Sequence, residues 1–249
     1  MAFGGEILIE GTHVESWDMS GSGGVRETSS EGRSYLTAVS GLLIEQGDQC
    51  DGTSWVDNHV ESRMDIIDSE INHLGYSGYS ESDTHGISYE VRGICTDSYD
   101  QEIYASVGVT GDILSSHIHH LYSGPSSYGH QGGNWSYNEV HNNRGHGFAL
   151  FDYSDEVNVN NNHVYNNLGH GILASNRCRN VTIGNNEIHE NGDISESSSV
   201  GHGIMLNQSC DFSTITSNDV HDNMISGIAL RESSNCEVSY NKIYNMKSG

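Results

Sequence analysis

The chain has 249 residues, 34% of them hydrophobic, with 30 Gly, one Pro, and 10 basic against 34 acidic side chains for a net charge of −24. Thirteen Tyr, 3 Trp and 4 Phe argue against a disordered chain. The acidity excludes a nucleic-acid binder, which needs a basic footprint, and no apolar run approaches the roughly 18–20 residues of a membrane span.

The charge suits salty water, where screening confines repulsion to about 8 Å. Met1 to Glu6 show neither a basic nor an apolar leader, so either a cytosolic protein or one whose secretion signal lies outside this sequence is expected. Five Cys without a CxxC pair argue against a zinc cluster. Cys50 could pair with Cys95, and Cys178 with Cys210.

Along the chain, Ile7-Leu8-Ile9, Ser69-Glu70-Ile71-Asn72-His73 and Ser116-His117-Ile118-His119-His120 read as worn copies of one unit, with an excursion at 96–108. The unit becomes regular further on. Asn-x-(Val/Ile)-x-x-Asn starts at Asn138, Asn162, Asn186 and Asn218, and a last copy starts at Asn241, in steps of 24, 24, 32 and 23 residues. The long step holds the polar stretch Asp193 to Ser199, one inserted loop. Between the blocks stand Gly145-His146-Gly147-Phe148, Gly169-His170-Gly171-Ile172, Gly201-His202-Gly203-Ile204 and Ile225-Ser226-Gly227-Ile228.

Short strands returning every 24 residues or so, punctuated by Gly and Asn, predict an all-β fold, a single-domain right-handed parallel β-helix over residues 1–249. Its coils are irregular over 1–110 and regular over 111–249. A leucine-rich solenoid competes, but its leucine consensus is absent. Val140, Val164, Ile188, Val220 and Ile243 form one inward stack, spaced about 4.8 Å. Phe148, Ile172, Ile204 and Ile228 form a second. Asparagines at the corners tolerate left-handed backbone and can hydrogen-bond along the stack.

Aligning the x-Gly-apolar step places His85, Tyr128, His146, His170, His202 and Ser226 in one column. Imidazole beside phenol suits proton transfer near neutral pH. The alternative is inherited stacking without chemistry. A metal on the column is disfavoured, because ligands on one flat face close no tetrahedral shell. His141, His189 and His221, inside the Asn block, read as corner or surface residues. A second cluster, His117, His119, His120 and Tyr122, then Tyr128, His130, Gln131 and Trp135, predicts a groove in which sugar rings stack on aromatic faces.

Several stretches resemble the mannuronan C5-epimerases of brown algae: Arg63 to Glu70, Leu74-Gly75-Tyr76, Ser80-Glu81-Ser82, Val91-Arg92-Gly93, Ile118-His119-His120, Ser127 to Gly133, and His170 to Cys178. The likeness covers roughly residues 5–245. It implies a β-helix acting on alginate, an extracellular or cell-wall location, a polysaccharide (alginate or polymannuronate) as partner, and a monomer. The family signature Tyr-Gly-Phe-Asp-Pro-His is replaced here by His146-Gly147-Phe148-Ala149-Leu150-Phe151.

Three outcomes are open: C5-epimerisation of mannuronate, β-elimination as an alginate lyase, or glycan binding without catalysis. Hydrolysis needs two carboxylates flanking one bond, and nothing pairs Asp152 with Asp155 across a sugar. The roles expected are His146 and His170 on the C5 proton, Tyr128 as acid or opposite-face donor, and Arg92 or Arg144 neutralising the substrate carboxylate. His119, His120, Tyr122, His130, Gln131, Trp135, Arg177 and His202 bind the sugar. No cofactor or metal is expected; carboxylates and Asn carbonyls suit calcium, but no calcium-binding spacing is present.

Overall fold

Triplets such as Glu139-Val140-His141 and Glu187-Ile188-His189 point one apolar side chain to one side and two polar ones to the other. Each buries its middle residue only when strands stack so that identical positions coincide. That is the arrangement in the computed structural model, which describes residues 2–18, 25–26, 33–42, 59–76, 85–92, 107–193 and 200–247. Three sheets, here A, B and C, each hold eight parallel strands, and the chain visits them in the order A, B, C on every coil. Such connections between parallel strands are right-handed, and the fold is a right-handed parallel β-helix.

One regular coil runs through Ser126–Tyr128 in A, Asn134–Ser136 in B and Glu139–His141 in C. The next begins at Phe148–Phe151. Register pairs Tyr128 with Phe151, Trp135 with Val159 and Val140 with Val164. The segments read as worn coils take their places, Glu6–Glu10 in B, and Glu70–Asn72 and His117–His119 in C. Among the described residues two departures occur. His59–Val60 pairs antiparallel with Gly41–Leu42, and Trp17–Asp18 pairs with Val25–Arg26. Most of 96–108, the expected excursion, lies outside the described residues, as do Cys50 and Cys95.

Val140, Val164, Ile188 and Val220 are fully buried in one stack, and Phe148, Ile172 and Ile204 in another. Ile243, expected inward, is 47% exposed because it belongs to the last coil of this chain. The corner asparagines divide the labour. Asn142, Asn161, Asn166 and Asn185 take the left-handed backbone conformation. Their neighbours Asn138, Asn162, Asn186 and Asn218 turn inward as one buried ladder, and Asn143, Asn167, Asn191 and Asn223 as another. Asn162 Oδ1 accepts from the backbone N–H and side chain of Asn138, while its Nδ2 donates to the Trp135 carbonyl and Asn186 Oδ1.

The second glycine of each Gly-His-Gly is set by close approach. A Cβ on Gly171 would stand 2.6 Å from both the Gly203 carbonyl and Ile188 Cγ2. Cys178 and Cys210, which could pair, form no disulfide. Both are thiols, each turned to the carbonyl three residues back, at 3.2 Å from Ser175 O and 3.0 Å from Asn207 O.

Candidate functional site

The turn from C to A carries the histidine column. His146 stacks on His170 with centroids 5.0 Å apart and planes 3° off parallel, and His170 stacks on His202 at 5.1 Å. Ser226 closes the column, 2.6 Å from His202 Nδ1. Tyr128 is not a member. Its partner in register is Phe151, at the far end of the A strand, and the rings stack at 5.0 Å. The same register puts Ser123 opposite His146 and His85 opposite Ser123. The column therefore reads His85, Ser123, His146, His170, His202, Ser226. Burial, with Asp152 and Glu90 nearby, also pushes the Tyr128 phenol well above its ordinary value.

Hydrogen bonding decides what the imidazoles can do. A backbone N–H can only donate, so His146 Nδ1, 2.9 Å from the His170 N–H, is an acceptor. His170 Nδ1 accepts from the N–H groups of Gly201 and His202. The proton of each neutral ring therefore sits on Nε2, which makes these rings donors and leaves no lone pair there to take the C5 proton. Burial lowers His146 to about 4, aided by His85, and His170 to about 3, aided by His146 and His202.

A cleft of about 490 Å³ opens beside the column, lined by His85, Tyr122, Arg144, His146, Phe151 and Asp193 among others. The Tyr122 ring lies 6.4 Å from that of His85. Tyr122, Arg144 and His146 thus meet in one cleft. His85 and Asp193 are additions; His85 was visible as the head of the column. His170, 7% exposed, does not line the cleft.

The remaining expected residues lie elsewhere. Arg92 is bound to Glu90 on the outer A face, Nη2 2.8 Å from the carboxylate. His130 and Trp135 are fully buried and cannot reach a sugar; they pack with Tyr89 and fill the core because Trp135 faces inward in its B strand. Gln131 Nε2 donates to the Tyr153 carbonyl. Arg177 lies over the Tyr153 ring and donates to its hydroxyl at 3.0 Å. Ala149 and Phe151, which replace the signature's Asp and His, point outward from A, Ala149 at 1% exposure.

His119 and His120 face away from the cleft, on the outside of C, and so do His141, His189 and His221, which of the two places expected for them take the surface and not the corner. Register aligns His13, Glu70, His117, Glu139, His163 and Glu187 in one outer row. The neighbouring row stacks His119, His141, Tyr165, His189, His221 and Tyr244 at 4.7–5.2 Å. The Tyr165 hydroxyl donates to Glu139 at 2.7 Å and holds that carboxyl below its usual range. Three groups, Glu70/His117/His119, His117/Glu139/His141 and His163/Glu187/His189, bring their ligand atoms within 4.8 Å of one another.

Buried neutral imidazoles make the fold acid-sensitive. His130, His146 and His170 sit at about 4, 4 and 3 in the folded chain, against about 6.5 when unfolded. The unfolded chain binds more protons between those values, so stability is full above about pH 6.5 and falls as the pH drops toward 4. Lowering the pH from 6 to 5 is expected to cost about 3 kcal/mol across the three rings. Urea midpoints at the two pH values check this, and equal midpoints would refute it.

The fold and its flank define a class, a parallel β-helix with an open cleft against one edge of its A sheet. The profile of the family described as periplasmic copper-binding protein, NosD, matches residues 56–248, and the chain belongs to that family. Among solved structures, the periplasmic alginate epimerase AlgG is similar at 21% identity and a TM-score of 0.72, over 95% of this chain and 48% of that one. PfbA, a surface adhesin of Streptococcus pneumoniae, is similar at 14% identity and a TM-score of 0.53, over 75% and 44%. This chain spans about half the length of AlgG, and the likeness to alginate epimerases is one of fold. No curated protein matches the sequence.

Proposed function

We propose that the chain acts on a uronate polysaccharide of the alginate type through proton chemistry at C5. The observation that carries this is one cleft holding a phenol, two imidazoles and a guanidinium: Tyr122, His85, His146 and Arg144. The C5 hydrogen of a uronate is removable only when the adjacent carboxylate is neutralised. Arg144 and the Nε2–H of His146 supply that in this reading, since His146 is a fixed donor.

His85 and Tyr122 then carry the proton: one group takes H5, and the electron pair passes into the carboxylate. Return of a proton from the opposite face gives the epimer. Departure of the 4-O-glycosidic oxygen with that proton gives an unsaturated end. Mannuronan epimerisation is the first reading and elimination the second. Ala149 and Phe151 favour a third, binding without turnover, because the signature carboxylate and imidazole are missing from the A face. AlgG's fold and the family's periplasmic description support a location outside the cytoplasm.

The cleft is tested with an oligomannuronate. Arg144→Ala removes a charge-assisted contact and is expected to weaken binding at least about tenfold, as read by titration calorimetry. Equal affinity in the variant would place the substrate elsewhere.

A further inference from the structure

We propose that the outer face of C is a divalent transition-metal site built on His163, Glu187 and His189, with a weaker copy two coils earlier on His117, Glu139 and His141. This goes beyond the polysaccharide reading and rests on a different face of the helix. His163 Nε2 and His189 Nε2 are 2.9 Å apart, and His117 Nε2 and His141 Nε2 are 2.6 Å apart. Two nitrogens bound at about 2.0–2.1 Å to one ion and roughly at right angles lie about 2.9 Å apart, so each pair already stands near the spacing of adjacent ligands. In each triad, register brings a carboxylate from the neighbouring coil beside the first histidine, Glu187 3.9 Å from His163 and Glu139 3.7 Å from His117.

The second observation is the hydrogen bond behind one ring. His189 Nδ1 lies 3.2 Å from Glu190 Oε2. A carboxylate only accepts, so Nδ1 holds the proton and Nε2 presents its lone pair to the outer face. Metal-binding histidines are oriented by just such a carboxylate. His141 Nδ1 instead accepts from Asn142 Nδ2 at 2.8 Å, so its proton sits on Nε2 and must leave before a metal binds there, and the earlier copy is the weaker of the two. Glu139 is also shared with the Tyr165 hydroxyl. Glu70/His117/His119 shares His117 with the weaker copy, so the two cannot fill together and the three triads hold two ions.

Three protein ligands on a flat face leave positions for water, a geometry open to Cu²⁺ and Zn²⁺. Imidazole and carboxylate without thiol or thioether suit the divalent state, with Cu²⁺ held more tightly than Zn²⁺. The copper-binding description of the family agrees with this donor set but assigns none of these residues.

The test uses the full chain with Cu²⁺ and Zn²⁺ as probes, without polysaccharide. Calorimetry is expected to show two ions per chain in two affinity classes. Copper electron paramagnetic resonance should show imidazole nitrogen couplings and a dipolar interaction for a separation of about 10 Å, two coil spacings. His189→Ala should abolish the tighter class and His117→Ala, which breaks both triads that share it, the weaker, while circular dichroism stays unchanged. Glu190→Gln should weaken the tighter class by about 10–100-fold and leave the weaker one alone. Binding that survives both alanine substitutions, a single class untouched by Glu190→Gln, or no binding at micromolar metal would each overturn the proposal.

Discussion

Asn162→Leu is expected to destabilise the β-helix by about 4 kcal/mol or more. Leu has the branching and side-chain heavy-atom count of Asn, so the main loss is one of hydrogen bonding, with some overpacking by the larger methyls. Removing the amide leaves the Asn138 backbone N–H without a partner in a buried position, while the Trp135 carbonyl keeps only its ladder bond and Asn138 Nδ2 and Asn186 Oδ1 each lose one of two. Each orphaned buried group costs about 1–3 kcal/mol. Asn241→Leu gives the internal comparison. That residue caps the same ladder in the last coil, half-buried, and the substitution should cost about 1 kcal/mol, since water replaces the lost partners. Urea denaturation of the two variants decides the matter: equal, small losses would show that the ladder contributes little.

Tyr122→Phe is expected to lower turnover of a uronate polymer by about 10²–10⁴-fold, the usual range for loss of one proton-transfer group. The substitution keeps the ring beside His85 and removes only the hydroxyl, so oligomannuronate affinity and the thermal transition should hold. His146→Ala acts differently, because its Nε2–H donates to the carboxylate in both the bound sugar and the transition state. Its effect should fall on KM as well as kcat. Steady-state kinetics separate the two patterns, and a Tyr122→Phe enzyme with unaltered kcat would remove Tyr122 from the chemistry.

The coil and its inward stacks were legible because the later coils share nearly one period, and a residue such as Val140 has one place to go there. Local motifs without that period misled. Tyr128-Gly129 mimics the x-Gly step, but the backbone register sets Tyr128 against Phe151, five residues beyond His146. His130 and Trp135 read as a sugar-binding cluster, whereas that stretch sends both rings into the core. The outer face of C was within reach. Strand alternation in Glu139-Val140-His141 and Glu187-Ile188-His189 already puts both polar residues outside, and the asparagines on either side drew those histidines toward a corner reading. No sequence pattern shows that backbone N–H groups hold the Nδ1 atoms of His146 and His170, because that depends on how consecutive coils meet.

The replaced signature gives the substitutions at Ala149 and Phe151 a specific meaning. With Ala149 and Phe151 in place of that carboxylate and imidazole, the proton chemistry proposed for this chain depends on the cleft between His85 and Arg144. The most direct test incubates the protein with polymannuronate in deuterated buffer, followed at 235 nm and then by proton NMR. Guluronate signals with deuterium at C5, or rising absorbance from unsaturated ends, is the predicted result, and either one distinguishes epimerisation from elimination. Unchanged polymer without C5 deuterium, across salt and above pH 6.5 where the fold is fully stable, would contradict C5 chemistry and leave the cleft as a binding site.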